Sequence, residues 1–412
     1  MKYIVLVADG MADHPIKEIG DKTPLEVAHT DHMDYVARHG FCGLVQTVPA
    51  KFYPGSEIAN LAILGYDPNK YFTGRAPLEA ANLDIDLADD EIAFRCNFVT
   101  VGNDAMNDYS AGHITTKEAG RLINDLNKQL KFDDVRFVAG KSYRHLMILK
   151  TANIAQMAAL KCTPPHDIMG KKMERYFPQG KGNNILIELM QASRKVLESH
   201  PINQVRIDLK ENPANMIWLW GQGTKPNLPS FYDRFGVKGS VISAVDLING
   251  IGRLAGLDVI KVPGVTGYYD TNYSGKAQYA LKSLKKKDFV YIHVEAPDEA
   301  GHNGDLRMKI ACIERIDREI VGPILEHFKN TEDFRFLILP DHATPVEKRT
   351  HTRDPVCFAM IGKGIPADGA STYTETAAQA KGLKFKSAES MMEYFMKISY
   401  DYKNILNKQK GE

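Results

Sequence analysis

The sequence predicts an α/β protein: a mainly parallel sheet flanked by helices, with a smaller α+β domain inserted into it. Three observations predict this. Short β-branched and aromatic runs alternate with segments of helical period. Runs near both ends of the chain share one layout, a strand-length apolar stretch followed by an acid. The middle of the chain carries its own strands and helices but not that layout. A length of 412 residues suggests two domains.

The N-terminal part reads as a buried strand over 3–8, a helix over 24–38 and a strand over 44–48. Thr23 is placed as the N-cap of that helix, with Pro24 at its first position and Gly40 near its end. Strands over 259–262, 289–294, 334–339 and 356–361 follow late in the chain, separated by helices over 274–286 and 306–328. The middle shows strands over 94–101, 145–150 and 216–220 and helices over 116–129 and 184–198. Glycine- and proline-rich stretches flank it, notably GQGTKPNLPSFYDRFG. The domains expected are therefore a discontinuous core, 1–77 with 233–412, and an inserted domain, 78–232.

Composition excludes several classes. Charged residues make up 25% and the formal net charge is +1, which leaves no general basic field for nucleic acid or anionic membrane. The longest apolar runs are strand-length, far short of a membrane span, and the run in MKYIVLVADG stops at Asp9 with no small-residue cleavage site after it, unlike a secretory signal. Five scattered cysteines without a C-x-x-C pair point to reduced thiols and a cytoplasmic location. A homo-oligomer is compatible with all of this.

The chemistry lies at the strand ends. YIVLVADG ends in Asp9. FVYIHVEAPDEAGH carries Asp298 and, four residues on, His302. FRFLILPDH ends in Asp341 and His342, and His351 follows a short loop later. Ligands of open α/β sheets sit beyond the carboxyl ends of the strands. Three acids brought there repel one another unless cations neutralise them. Each residue alone is ordinary: an Asp after a strand is commonly a turn former or N-cap, and a lone His a satisfied polar side chain. Their joint occurrence points to a shared metal cluster. The mixed oxygen and nitrogen set suits Mn²⁺, Zn²⁺, Fe²⁺ or Co²⁺ and lacks the thiolates of a structural zinc site.

Ser56, in KFYPGSEIANLAIL, opens a predicted helix. The ordinary role there is an N-cap. The alternative is a nucleophile at a helix start, where free N–H groups bind a phosphoryl oxygen and a metal removes the hydroxyl proton. No G-x-S-x-G and no G-x-x-x-x-G-K-[ST] occurs, which disfavours a serine hydrolase and a P-loop kinase. Gly250, Gly252 and Gly256 lie within a helical pattern and read as packing residues.

These motifs, with TGRAPLEAAN, FRCNFVTV and THTRDPV, resemble the cofactor-independent phosphoglycerate mutases of the short archaeal and bacterial type, within the alkaline-phosphatase-like superfamily. The resemblance spans essentially the whole chain. It implies an alkaline-phosphatase-like core with two metal sites: Asp9, Ser56, Asp341 and His342 in one, Asp298, His302 and His351 in the other. Two divalent ions follow, manganese first, and no bisphosphoglycerate. It further implies phosphoglycerate as substrate, a phosphoserine on Ser56, and an inserted domain that holds substrate. Arg75, Arg95, His113, Arg144 and His145 are the residues expected there, although relatives tend to carry Arg at the position of His113. A related phosphotransferase or phosphatase acting on another small hydroxylated metabolite is the alternative.

Overall fold

The computed structural model describes residues 1–397. It has two compact units, Met1–Phe72 with the chain from Leu228, and Thr73–Asn227. Among the described residues no helix is long and apolar enough to cross a membrane.

The first unit is built on an eight-stranded sheet. In spatial order its strands are Lys384–Phe385, Phe41–Val45, Val356–Gly362, Phe334–Leu339, Lys2–Ala8, Phe289–Val294, Gly239–Ile242 and Asp258–Val259. Val356–Gly362 runs antiparallel to both neighbours, and every other pairing is parallel. Ile4 to Ala8 are all fully buried, so both faces of the central strand are covered. That is why the run is continuously apolar instead of alternating. Its two neighbours, Phe289–Val294 and Phe334–Leu339, have the bounds the sequence predicts.

Several elements depart from the sequence reading. The helix expected over 24–38 is two helices, Pro24–Val27 and Asp31–His39, with Ala28 extended between them. Thr23 caps the first in a full capping box. The second is capped from elsewhere: the Asp317 carboxylate accepts from the His32 and Met33 N–H groups at 3.3 and 2.7 Å. Asp317 belongs to a wide π-type turn, Asp317–Val321, that interrupts the helix expected over 306–328. The strand expected over 44–48 is Phe41–Val45, set by pairing with Val356–Gly362. The strand expected over 259–262 is only Asp258–Val259, and the short strand Gly239–Ile242 has no counterpart in the sequence reading.

In the second unit Glu91–Gly102 lies between Arg144–Lys150 and Met216–Gly223, antiparallel to both. Val135–Lys141 and Ala105–Asp108 extend the sheet. Helices Thr116–Gln129 and Asn184–Glu198 match the sequence bounds and pack their apolar stripes into one core.

One buried ion pair joins two strand-end loops of the first unit. Lys309, fully buried on the helix Leu306–Ile316, donates to Asp13 Oδ2 at 2.7 Å and to the carbonyls of Thr344 and Ala12 at 2.8 and 3.2 Å. Val346 N–H also donates to Asp13. Removing one partner strands the other charge in the interior. Lys309→Met is therefore expected to destabilise the protein by about 3–5 kcal/mol, read by urea unfolding. A change within ~0.5 kcal/mol would show that the pair does not hold these loops.

Candidate metal centre

Each acid reaches the sheet edge differently. Asp9 directly follows the central strand. Gly10 then turns at φ +63, and a Cβ there would lie 2.6 Å from Asp298 Cα, so only glycine fits. Asp341 follows the adjacent strand by two residues. Asp298 does not end a strand: it lies in the first turn of the helix Ala296–Asn303, with His302 one turn later. Spacing of four puts both on one helix face.

The first cluster gathers Asp9, Ser56, Asp341 and His342. Gly55, not Ser56, is the N-cap of the helix Ser56–Ile63, and the Ser56 hydroxyl makes no capping bond. Its Oγ lies 3.1 Å from His342 Nε2 and 3.5 Å from Asp9 Oδ2. His342 Nε2 is 3.5 Å from Asp9 Oδ1 and 3.6 Å from Asp341 Oδ2. Four donors around one ion at ~2.1 Å would sit about 3.4 Å apart, the edge of a tetrahedron. The four spacings given, 3.1–3.6 Å, are close to that edge, with Asp9 using a different oxygen toward Ser56 and toward His342.

The second cluster joins Asp298, His302 and His351. The two Nε2 atoms face each other at 2.8 Å, and lie 3.3 and 3.4 Å from the Asp298 oxygens. Neighbouring groups set the tautomers. His302 Nδ1 lies 3.0 Å from the Arg349 carbonyl and His351 Nδ1 3.3 Å from that of Pro54, so both Nδ1 atoms carry hydrogen. Thr344 donates its hydroxyl hydrogen to Asp298, so its oxygen accepts from His342 Nδ1 at 3.3 Å. All three Nε2 atoms are thereby left to a cation.

The electrostatics agree. Burial, with the Asp341 and Asp298 charges, pushes the Asp9 carboxyl well up. Burial also opposes the Asp341 charge, but His342 and His293 outweigh it and hold that carboxyl below its usual range. Gly10 N–H, His342 N–H and the Asn60 amide all donate to Asp341. Asn60, one turn after Ser56 on the same helix, also accepts from the Tyr291 hydroxyl. Asp298 is likewise opposed by burial, but hydrogen bonds to His302 and His351 hold it well down. In return the Asp298 bond draws His302 up to about 9. Burial lowers His342.

Asn60, Thr344 and Tyr291 escaped the sequence reading, since nothing in their local pattern marks them. His293 escaped it too, although it stands in the same strand-end segment as Asp298.

The remaining expected residues all belong to the second unit. Arg95 is nearly buried, paired with Glu79 at 3.0 Å and stacked 4.3 Å over Trp220. Arg75 lies 6.0 Å from the same ring, and Arg144 pairs in register with Asn97, two residues from Arg95. Burial, then Arg75 and Arg144, act against the Arg95 charge, which Glu79 supports. His113 is exposed, edge-on to Tyr143 at 6.0 Å. His145 departs from the expectation. Adjacent strand residues point to opposite faces, so it sits in the core against Phe98 at 4.8 Å, and burial lowers it to about 3. His166 and Trp220, 5.4 Å apart, join the arginines without having been expected there.

Protons and cations compete for the second cluster. His302 carries a proton below about pH 9, which a metal must displace. The Mn²⁺ affinity of this cluster is expected to fall about tenfold per pH unit from 9 to 7, measured by calorimetry under argon. A flat affinity over that range would count against His302 as a ligand.

Residues 37–203 match the family model of 2,3-bisphosphoglycerate-independent phosphoglycerate mutase. A relative of that name from Methanothrix thermoacetophila is 50% identical over 383 residues, 93% of this chain and 96% of its own. One from Methanosarcina mazei is 48% identical over 399 residues, 96% of this chain and all of its own. Among solved structures, the PH0037 protein of Pyrococcus horikoshii is similar at TM-score 0.82 and 32% identity, covering 97% of this chain and 98% of that one. The cofactor-independent phosphoglycerate mutase of Thermoplasma acidophilum shares the fold at TM-score 0.67 and 24% identity, covering 97% and 100%. With identity near one half sustained from end to end, the chain belongs to the 2,3-bisphosphoglycerate-independent phosphoglycerate mutase family.

Proposed function

We propose that this protein interconverts 3-phosphoglycerate and 2-phosphoglycerate without bisphosphoglycerate, by way of a phosphoserine on Ser56. The observation that carries the reading is the Ser56 hydroxyl. It is released from capping and set 3.1 Å from His342 Nε2, at the rim of the first cluster. A serine serving only the fold would bond to its own helix. The names of the relatives supply the substrate class.

Two divalent ions, manganese first, are the cofactors proposed, one on Asp9, Ser56, Asp341 and His342 and one on Asp298, His302 and His351. When bound, such ions lower the hydroxyl pKa and neutralise charge on the phosphoryl oxygens. The protein supplies the rest. The start of the helix Ser56–Ile63 directs N–H groups toward a bound phosphoryl group. Asn60 holds Asp341 and the Ser56 carbonyl together at 2.8 Å each, fixing the nucleophile against the acid. Ser56 Oγ attacks phosphorus and releases the glycerate oxygen, and the other glycerate hydroxyl then takes the phosphoryl group back. In the inserted unit Arg75, Arg95 and Arg144 form a cationic surface of the kind that binds a carboxylate, since guanidinium pairs with it through two parallel hydrogen bonds. His145, in the core, is left out of that role. Reduced thiols support a cytoplasmic location, and the substrate pair assigns the reaction to glycolysis and gluconeogenesis.

Phosphorus NMR tests the reading. Purified protein with Mn²⁺ and 3-phosphoglycerate, and neither bisphosphoglycerate nor ATP, is expected to form 2-phosphoglycerate. Ser56→Ala should lower that rate by at least about 10⁴-fold. Free phosphate as the sole product would make it a phosphatase, and no turnover would reject the assignment.

A further inference from the structure

His293 stands inside the first cluster but outside the ligand set that the motifs suggest. It lies in the strand Phe289–Val294, where the sheet register sets it beside Val7, two residues before Asp9. The side chain is fully buried, with Nε2 3.1 Å from Asp9 Oδ2. Despite that distance, His293 Nε2 makes no hydrogen bond, and neither does Asp9 Oδ1. Leaving two buried polar atoms without a bond is unfavourable unless something else bonds to them.

The surroundings hold this ring firmly. Ser243 Oγ lies 3.3 Å from Nδ1 and accepts the Val245 N–H at 2.9 Å. The buried Lys276 ammonium donates to the His293 carbonyl at 2.5 Å. Nε2 thus points at the acids from a fixed position, and ligand atoms of Asp9, His293 and Asp341 all lie within 4.8 Å of one another. The three residues come from the ends of three adjacent strands. One imidazole nitrogen and two carboxylates form a donor set for a divalent transition metal.

We infer that His293 is a further metal ligand, joining Asp9 and Asp341 in holding a divalent cation through Nε2. This rests on the reading of Asp9 and Asp341 as ligands. It explains why a histidine is buried at the base of an acidic site with its Nε2 unbonded. It also assigns a role to Ser243, which contacts the ring at Nδ1, and to Lys276, which holds the backbone of His293.

Two substitutions separate a ligand from a hydrogen-bond donor. Glu can ligate a cation but cannot donate to Asp9, whereas Gln can donate but ligates poorly. In equilibrium dialysis with Mn²⁺, H293Q is expected to weaken one of the bound ions by at least about 100-fold, the upper range for residues that support a site from outside. H293E should recover most of that loss. The reverse order, with Gln retaining the ion and Glu losing it, would overturn the inference and leave His293 as a positioning donor. Ion binding that survives H293Q but is lost in D341N would also overturn it, while sparing the metal centre. Binding unaffected by D341N would instead sink the centre itself, and His293 with it. A measurement on the unaltered protein guards against misfolded variants. With ¹⁵N-labelled histidine and bound ¹¹³Cd²⁺, four imidazoles (His293, His302, His342 and His351) should show direct cadmium–nitrogen coupling. Coupling to only three, with His293 silent, would refute the assignment.

Discussion

Charge concentrated in a dry place is the constraint on which the first unit depends. Asp9, Asp298 and Asp341 are 1%, 6% and 0% exposed, and they converge on one sheet edge. Burial alone would protonate all three. Asp341 escapes because the neighbouring His342 and His293 outweigh burial, and two backbone N–H groups and the Asn60 amide also donate to it. Asp298 escapes because His302 and His351 bond to it. Asp9, lacking such support, carries the excess of the cluster. Much of the surrounding architecture answers this imbalance: the left-handed turn at Gly10, the helix carrying Asn60, and the Lys309 clamp on the loop of Asp13.

The imidazoles are fixed as firmly as the acids. His302 and His351 turn Nδ1 toward backbone carbonyls, and His342 turns it toward a threonine whose own hydrogen is committed to Asp298. Such outer bonds decide which nitrogen is free and where it points. The resulting edge is organised for cations before any substrate group is considered. Ser56 belongs to the same design, because Gly55 takes over the capping position and frees the hydroxyl.

The second unit uses a different device. Arg75 and Arg95 meet over Trp220, Arg144 comes within interaction range of Arg95, and Glu79 pairs with Arg95. The indole face holds the Arg95 guanidinium by cation–π attraction while leaving its charge only partly balanced. An antiparallel sheet brings Arg95, Arg144 and Trp220 together from neighbouring strands, and the helix Arg75–Asn82 adds Arg75 and Glu79. The same alternation carries His145 to the opposite face and into the core.

Sequence by itself determined the α/β class, the bounds of Phe289–Val294 and Phe334–Leu339, and the placing of Asp9 and Asp341 just beyond strands and of Ser56 at a helix start. These were legible because hydrophobic period and capping chemistry are local. Tertiary structure alone decided that the helix after Thr23 breaks at Ala28, since the carboxylate capping its second half comes from Asp317, some 285 residues away. It alone decided that Asn60, Thr344 and His293 touch the metal centre and that His145 turns into the core of its own unit. Such roles depend on which side chains long-range strand pairing brings within hydrogen-bond reach, and no local pattern of residues encodes that distance.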